Sequence, residues 1–203
     1  LCPPPPQNPE CQPSIFKFDF HEATVVRNNL GGKLSTEPAE LRYTDIGSLN
    51  GVQLDLVVEA KSAYTGKTEG LLGQFGIIGL SAGESVDLQF TFQDHATGEP
   101  VTIPQFEFSF FDIDQHMMPG REGRRGEILT VGGFDSYLVE EENDIKIKKV
   151  GDKTQFESTA LGEGCDNPQD PMKLGKIQCD YPGGWGTKTV DQRKRSVMFI
   201  FSE

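Results

Sequence analysis

The sequence predicts an all-β protein that folds as a two-sheet antiparallel sandwich of the jelly-roll or lectin-like type. Apolar and polar residues alternate over many short segments, and this period of two is that of a β-strand. Gly and Pro contribute 23 and 13 residues, which divide the segments by frequent turns. No helical pattern persists over three turns, and 14 Phe residues are available to fill a core.

The segments with a strand pattern follow one another along most of the chain. The alternation is strict in 85–92, where the four even-numbered residues are Val, Leu, Phe and Phe. The first and last segments are both rich in Phe, so we expect them to pair and to bring the termini together. The predicted strands are 15–20, 25–26, 53–60, 75–80, 85–92, a strand that starts at Gln105, 127–131, 136–140, 145–150, 154–158 and 196–202.

The chain length of 203 residues fits one all-β domain. Residues 1–13 form a Pro-rich lead-in, and we expect 14–203 to form a single sandwich. Because the chain begins at Leu1 rather than Met, we expect a processed product or a piece of a longer protein.

The four cysteines form two local pairs, Cys2 with Cys11 and Cys165 with Cys179. Four cysteines allow three pairings, and the two local bridges are the interpretation we favour. The first would hold the Pro-rich segment, and the second would close an acidic loop. Zinc is the weaker alternative, because neither pair has C-x2-C spacing. Two disulfides predict an oxidising compartment and therefore a secreted or cell-surface protein.

The formal net charge is −12 and the sequence pI is about 4.7. This field repels phosphate backbones, so nucleic acid is not an expected partner. It favours metal cations and basic partners. No apolar run approaches the roughly 18 residues of a membrane span, so membrane insertion is not expected.

The strongest candidate site is the end of the strand in 105–115, which reads QFEFSFFDIDQ. Its Phe residues alternate on one face, and Asp112 and Asp114 then share a face where the strand meets a loop. Paired carboxylates suit calcium, which takes six to eight oxygen ligands. Asp55, on the outward face of another predicted strand, is a third candidate ligand. The alternative is a solvated strand end whose acids accept backbone N–H bonds.

Two further segments carry weaker signals. Asp166, Asn167 and Asp170 could bind a second cation, although Asx residues beside Pro also form turns. Tyr181 and Trp185 lie in a Gly-rich loop and could stack on sugars or anchor a protein partner, unless Trp185 only caps the sandwich.

Catalysis has limited support in the sequence. His116 follows the Asp pair and could act as a base beside Asp114, or could be a solvated loop residue. The basic residues 193–195 precede the last strand and are interpreted as charges that prevent edge-to-edge pairing.

Several motifs together carry a family resemblance. The motifs occur in the order LRYTDIG (41–47), DLVVEA followed by Tyr (55–64), FSFFDID (108–114), DNPQDPM followed by Leu and Gln (166–178) and RSVMFIF (195–201). The chain resembles an uncharacterised family of secreted or cell-surface β-sandwich domains of algae, dinoflagellates and other protists. It is also similar to lectin-like modules of bacterial adhesins. The resemblance implies an extracellular, non-catalytic domain, and Asp55, Asp112 and Asp114 match its recurrent acids.

We therefore expect an extracellular structural or adhesion module of a surface, matrix or filament assembly, stabilised by calcium. Its expected partners are other surface or matrix proteins or glycans. Two alternatives stay open. One is a carbohydrate-binding, lectin-like domain, and the other is a polysaccharide-active enzyme on a jelly roll.

Overall fold

A computed structural model describes residues 16, 18–66, 70–117, 124–181 and 185–202. The Pro-rich segment 1–13 and the predicted Cys2–Cys11 bridge lie outside these residues. The described residues form antiparallel β-sheets and two short 3-10 turns, Pro171–Lys173 and Gln192–Arg195, without an α-helix. The prediction of an all-β protein is confirmed. In the described part of the chain, no helix has the length and hydropathy needed to cross a membrane.

The strands are mostly short, as the turn-rich sequence predicts. Nine residues is the longest span among them, and several have only two or three. In chain order they are β1 (Thr24–Asn28), β2 (Glu40–Thr44), β3 (Ser48–Leu49), β4 (Val52–Ala60), β5 (Gly70–Leu72), β6 (Phe75–Ile77), β7 (Leu88–Asp94), β8 (Gln105–Phe110), β9 (Gln115–Met117), β10 (Arg124–Gly126), β11 (Ile128–Val131), β12 (Ser136–Leu138), β13 (Ile145–Val150), β14 (Lys153–Ser158), β15 (Lys176–Tyr181), β16 (Gly186–Asp191) and β17 (Val197–Ser202).

Three sheets and three hairpins make up the fold. Sheet I runs β1-β2-β4-β3, and β7 also pairs with β4. Sheet II has the order β12-β17-β8, and sheet III has the order β11-β14-β13. The pairs β5–β6, β9–β10 and β15–β16 are two-stranded. No sheet closes into a barrel among the described residues.

The largest hydrophobic core lies between sheet I and strand β8. Leu41, Leu54 and Val58 of sheet I are fully buried. The Phe residues of β8 pack against those of β7, with ring centroids 5.0 Å apart for Phe90–Phe108 and 5.2 Å for Phe92–Phe106. Such edge-to-face pairs stabilise a fold beyond their buried area. Alternation in β7 and β8 therefore places the aromatic rings as the sequence predicts.

Sheets II and III share a second core around Phe156 and Phe199, both fully buried. Their ring centroids lie 5.2 Å apart. Because Phe110 of β8 packs against Phe199, strand β8 contributes to both cores. The end of β8 is thus held on both sides, and the acidic residues that follow it start from a rigid base.

The N-terminal pairing differs from the prediction. The last strand, β17, pairs with β8 and β12 instead of with the first segment. Phe16 forms one parallel bridge, with Phe106 of β8. Residues 18–20 form no strand. The Phe18 ring packs against Phe92 and Phe108 in the core between sheet I and β8, and the N–H of Asp19 donates to the carbonyl of Ile46 at 2.9 Å.

Candidate functional site

The end of β8 places two carboxylates side by side. Asp112 has a φ of 63°, a left-handed conformation that is uncommon for a residue other than Gly. This turn in the backbone ends the strand. Ile113 is buried and donates its N–H to the carbonyl of Arg195 at 3.0 Å, which fixes the segment beside the turn that precedes β17.

The third carboxylate comes from the loop closed by the Cys165–Cys179 disulfide, whose predicted pairing is confirmed. Asp166 follows Cys165 directly. Its backbone N–H donates to the carbonyl of Glu163, and the N–H of Glu163 donates to Asp166 Oδ1, each at 2.9 Å. The disulfide to buried Cys179 of β15 and this reciprocal turn orient the Asp166 side chain inward.

Asp112, Asp114 and Asp166 converge into one group, which we call the acidic cluster. One oxygen from each carboxylate lies within 4.8 Å of the others. The Asp166 side chain has no solvent exposure and that of Asp114 has 14%. The two segments are about fifty residues apart in sequence, so the fold rather than local spacing brings these oxygens together.

Arg195 is the cation that contacts this cluster, and its side chain is 6% exposed. Its Nη1 lies 2.5 Å from Asp166 Oδ2 and 3.7 Å from Asp114 Oδ2. Its Nη2 donates to the carbonyl of Leu161 at 2.6 Å. The Nε atom is 3.6 Å from Asp144 Oδ2 and has no hydrogen-bond partner. One guanidinium thus faces several carboxylates.

The acidic cluster has more carboxylates than cations, and this raises the pKa values of Asp112 and Asp114. Burial, followed by repulsion from Asp114 and Asp166, raises the pKa of Asp112 to about 7. Burial, followed by repulsion from Asp166, raises the pKa of Asp114 to about 6, although Arg195 lowers it. Without a further cation, the cluster therefore holds protons close to neutral pH.

Glu127 is a further acid close to the acidic cluster. Its backbone N–H donates to the carbonyl of Asp114 at 2.9 Å. Loss of water around the carboxyl, then repulsion by Asp114 and Asp112, raises its pKa to about 7. Because the residue as a whole is exposed to solvent, repulsion by the two aspartates is the dominant cause of the raised pKa.

A glycine makes room for Asp114. Gly162 packs so closely that an added Cβ would lie 1.5 Å from Asp114 Oδ2 and 2.1 Å from its Cγ. The N–H of Gly162 donates to the carbonyl of Gln115 at 3.0 Å, which holds the two backbones together. Any side chain at position 162 would displace the carboxylate.

The donor set of the acidic cluster fits a hard divalent cation. All three side chains offer carboxylate oxygens, which calcium prefers, and none offers the sulfur or imidazole that favours zinc. A calcium ion would need further oxygens from backbone carbonyls or water to reach six to eight. The residues that would hold it are Asp112, Asp114 and Asp166, with Glu127 beside them.

Asp55 lies elsewhere, so the structure does not bring it together with Asp112 and Asp114. Asp55 is on the predicted face of β4 but is buried, at 2% exposure. Its Oδ2 accepts from Arg42 and its Oδ1 pairs with His95 Nδ1, both at 2.9 Å. Arg42 and His95 therefore already balance the charge of the Asp55 carboxylate. In turn, the hydrogen bond to Asp55 and the negative charge of Asp55 raise the pKa of His95.

The other predicted site residues, Tyr181, Trp185 and His116, differ in their exposure and in their distance from the acidic cluster. Tyr181 is buried, and its hydroxyl lies 2.9 Å from Asp166 Oδ2, so it supports the acidic cluster instead of facing a ligand. Trp185 is 46% exposed, with Lys188 Nζ 5.6 Å from its ring centroid. His116 is exposed and lies 3.7 Å from Glu163, near the rim of the cluster.

Sequence reasoning missed Glu127 and Gly162. It was wrong about Arg195, which was interpreted as a charge that protects a sheet edge but is buried and precedes β17, the central strand of sheet II. For Arg195 a signal was present, because Arg195, Val197 and Phe199 follow the period of two and the latter two point into the core. An arginine on the inward face of such a run predicts a buried ion pair. Nothing in the local sequence marks Gly162 or Glu127, whose roles depend on contacts between distant segments.

Comparison with protein-family models, with curated proteins and with solved structures finds no match to this chain.

Proposed function

We propose that this chain is a calcium-stabilised, non-catalytic β-domain of an extracellular structural or adhesive assembly. The single observation that carries the proposal is the convergence of Asp112, Asp114 and Asp166, with oxygens within 4.8 Å of one another. Like charges at this spacing repel strongly in a partly buried site. A divalent cation would replace that repulsion by attraction and would fix the two segments that supply the ligands.

Arg195 supports this role without replacing the cation. It contributes one positive charge to a site with three clustered carboxylates and Glu127 nearby. The remaining negative charge can be neutralised either by protonation of the carboxylates or by a bound metal ion. In an environment with millimolar calcium and a pH above 7, the metal ion is the favoured form.

The finer architecture belongs to the same proposal. We interpret sheet I as one layer and sheet II as the layer facing it, which gives a jelly-roll-like sandwich. The aromatic contacts between β7 and β8 support this interpretation, as does the core that these strands share. The acidic cluster would then lie at one end of the layers, where ligand sites of such sandwiches are formed by loops.

The disulfide supports an extracellular location, since such bonds persist in oxidising compartments. It lies directly beside Asp166, so it would hold a calcium ligand in place. Exposed Trp185 near the β15–β16 hairpin would be available to a neighbouring protein or a glycan. Surface and matrix proteins or glycans are therefore the partners we propose.

A second candidate function is hydrolysis of a polysaccharide, favoured by one observation. Carboxyls that hold protons near neutral pH, such as Asp112 and Asp114, resemble the general acids of glycosidases. The separation argues against it. Inverting enzymes hold their two carboxyls roughly 6.5–9.5 Å apart and retaining enzymes about 5–5.5 Å. Three oxygens within 4.8 Å fit shared ligation of an ion better.

Calorimetric titration of the oxidised, calcium-free chain with calcium tests the proposed function. We expect binding near one ion per chain, lost in Asp112→Asn/Asp114→Asn and retained in Asp87→Asn, which removes an exposed acid elsewhere. Asp55→Asn should also retain binding, because Asp55 lies outside the cluster. No binding by the wild-type chain at millimolar calcium would refute the proposal. Turnover on a polysaccharide panel, lost in Asp114→Asn, would favour the enzyme instead.

A further inference from the structure

The solvent face of sheet III carries a row of lysines. Lys146 and Lys148 alternate with Ile145 and Ile147 along β13, so they project away from the core. Lys153 projects to the same side from the central strand β14, where it lies opposite Val150. All three lysines are exposed. We call this surface the lysine face.

The strand geometry sets the spacing of the row. Residues two apart on a strand lie roughly 7 Å apart, and neighbouring strands lie about 4.8 Å apart. Lys146, Lys148 and the pair Val150–Lys153 are successive positions at this interval. The Cα atoms of the three lysines therefore follow a nearly straight line of roughly 14 Å. A row of this kind matches a linear polymer that carries a negative charge at regular intervals.

These lysines form no ion pair with the described residues of a chain that is rich in acid. The sequence has 31 acidic and 19 basic residues, so most cations have a carboxylate available. Lys61, Lys173 and Lys194 each contact one at 2.8–3.2 Å. None of the three lysines of the lysine face forms an ion pair with a described residue. Two acids lie close to these lysines in the sheet register. Glu157 is directly opposite Lys146, and Asp152 lies in the turn between β13 and β14.

Protection of a sheet edge explains only part of the row. Lysines on an edge strand discourage pairing with another chain, and β13 is such an edge. Lys153 lies on the central strand β14, where no edge has to be protected. The position of Lys153 in line with the other two therefore points to a shared ligand.

The other side chains of the lysine face suit a sugar polymer. Gln155 Nε2 donates to Thr130 Oγ1 at 3.3 Å, and both side chains have further capacity to bond hydroxyl groups. Ile128 and Val150, 56% and 45% exposed, offer apolar patches to the faces of sugar rings. No aromatic residue belongs to this face in the described strands of sheet III. Single-stranded nucleic acid is normally bound by stacking on aromatic residues, so a polysaccharide is favoured.

We propose that the lysine face binds a linear anionic polysaccharide through its sulfate or carboxylate groups. This inference is independent of the acidic cluster, which lies at the end of β8. Because the rest of the chain is acidic, contact is confined to this face and weakens with salt.

The test measures binding of the full chain to dextran sulfate, to polygalacturonate and to uncharged dextran, at 50 and 200 mM NaCl. We expect binding to at least one charged polymer, no binding to dextran, and weaker binding at the higher salt. Lys146→Gln/Lys148→Gln/Lys153→Gln should lower the affinity about tenfold, as expected for three exposed charge contacts. Lys61→Gln/Lys173→Gln/Lys176→Gln removes the same charge elsewhere and should change it less than about twofold.

Preference for one of the two polymers identifies the sulfate or the carboxylate as the recognised group. Equal losses in the two triple variants would overturn the proposal, because net charge alone would then explain binding. Failure of the wild-type chain to bind either charged polymer would also overturn it. Tighter binding to single-stranded DNA than to both polymers would replace the polysaccharide by nucleic acid. Thermal melts of both variants check that they are folded.

Discussion

Arg195 donates from Nη1 to Asp166 Oδ2 at 2.5 Å, and neither side chain is more than 6% exposed. The pair joins the turn before β17 to the loop that the Cys165–Cys179 disulfide closes. Loss of one partner leaves the other charge buried and uncompensated. This pair is therefore the electrostatic centre of the acidic cluster.

Arg195→Gln is expected to destabilise the fold by about 3–5 kcal/mol, the usual cost of breaking a buried ion pair. Arg195→Lys should recover only part of this loss, because an ammonium cannot contact Asp166 and the Leu161 carbonyl with a planar fork. Urea denaturation measures both variants. Lys194→Gln is the matched control, since its ion pair with Glu142 is solvent-exposed and should contribute at most about 1 kcal/mol. A loss below 1 kcal/mol in Arg195→Gln would contradict the assignment.

The calcium-free chain should lose stability as the pH rises from 5 to 8. The pKa values of Asp112 and Asp114 are raised to about 7 and about 6, so the folded state binds protons more tightly than the unfolded state. The protonated forms of Asp112 and Asp114 stabilise the folded state. This contribution is complete below the ordinary Asp pKa of 3.8 and is lost as the pH rises through 6 to 7. The two groups together should account for on the order of a few kcal/mol. The free energy of unfolding measured in EDTA tests this.

Asp112→Asn/Asp114→Asn is the control for the pH dependence, because amides do not titrate. Its free energy of unfolding should vary less between pH 5 and pH 8 than that of the wild type. If the two curves are parallel, other groups cause the effect. His95, whose pKa Asp55 raises, contributes in the same direction and remains in both proteins.

The sequence allowed many of the strands and the Asp pair to be predicted, because both depend on local pattern. Alternation placed the Phe residues of β7 and β8 in the core, and the turn residues bounded the strands. The acidic end of β8 was likewise visible from Asp112 and Asp114. The inward position of Arg195 was not predicted, although its spacing of two from the buried residues Val197 and Phe199 was a signal for it.

The third carboxylate could not be chosen from the sequence. Asp55 and Asp166 are both acids in plausible positions, and only the packing decides between them. Asp55 is bonded to Arg42 and His95 across sheet I, whereas the disulfide loop carries Asp166 to the end of β8. The strands β2, β9, β10, β15 and β16 were also missed. The last four form two local hairpins, β9 with β10 and β15 with β16, whose alternation is too weak to be recognised in the sequence.

Gly162→Ala should displace Asp114 and thereby weaken both the fold and calcium binding. An added methyl group meets the carboxylate at 1.5 Å, so Asp114 must move. We expect a loss of about 1–3 kcal/mol, as for overpacking elsewhere. Gly164→Ala is the matched control, because a Cβ there meets no atom within 4 Å. Equal melting temperatures for the two variants would contradict the close contact between Gly162 and Asp114.

Cys165→Ser/Cys179→Ser should lower the free energy of unfolding by about 3 kcal/mol, the loss expected for a loop of this length. It should also weaken calcium binding, because the disulfide fixes the residue before Asp166. Denaturation and titration of the double variant test the two effects. Unchanged calcium affinity would mean that the turn between Glu163 and Asp166 holds the ligand without the disulfide.

The most direct test of the acidic cluster as a calcium site is a thermal melt at pH 7.5 in calcium and in EDTA. At a calcium concentration 100 times Kd, binding to the folded state adds about 2.7 kcal/mol. For a chain of this size we expect the melting temperature to rise by roughly 5–10 °C. Asp112→Asn/Asp114→Asn should abolish the rise, and Asp87→Asn should keep it. The same melting temperature with calcium and with EDTA in the wild-type chain would contradict the account.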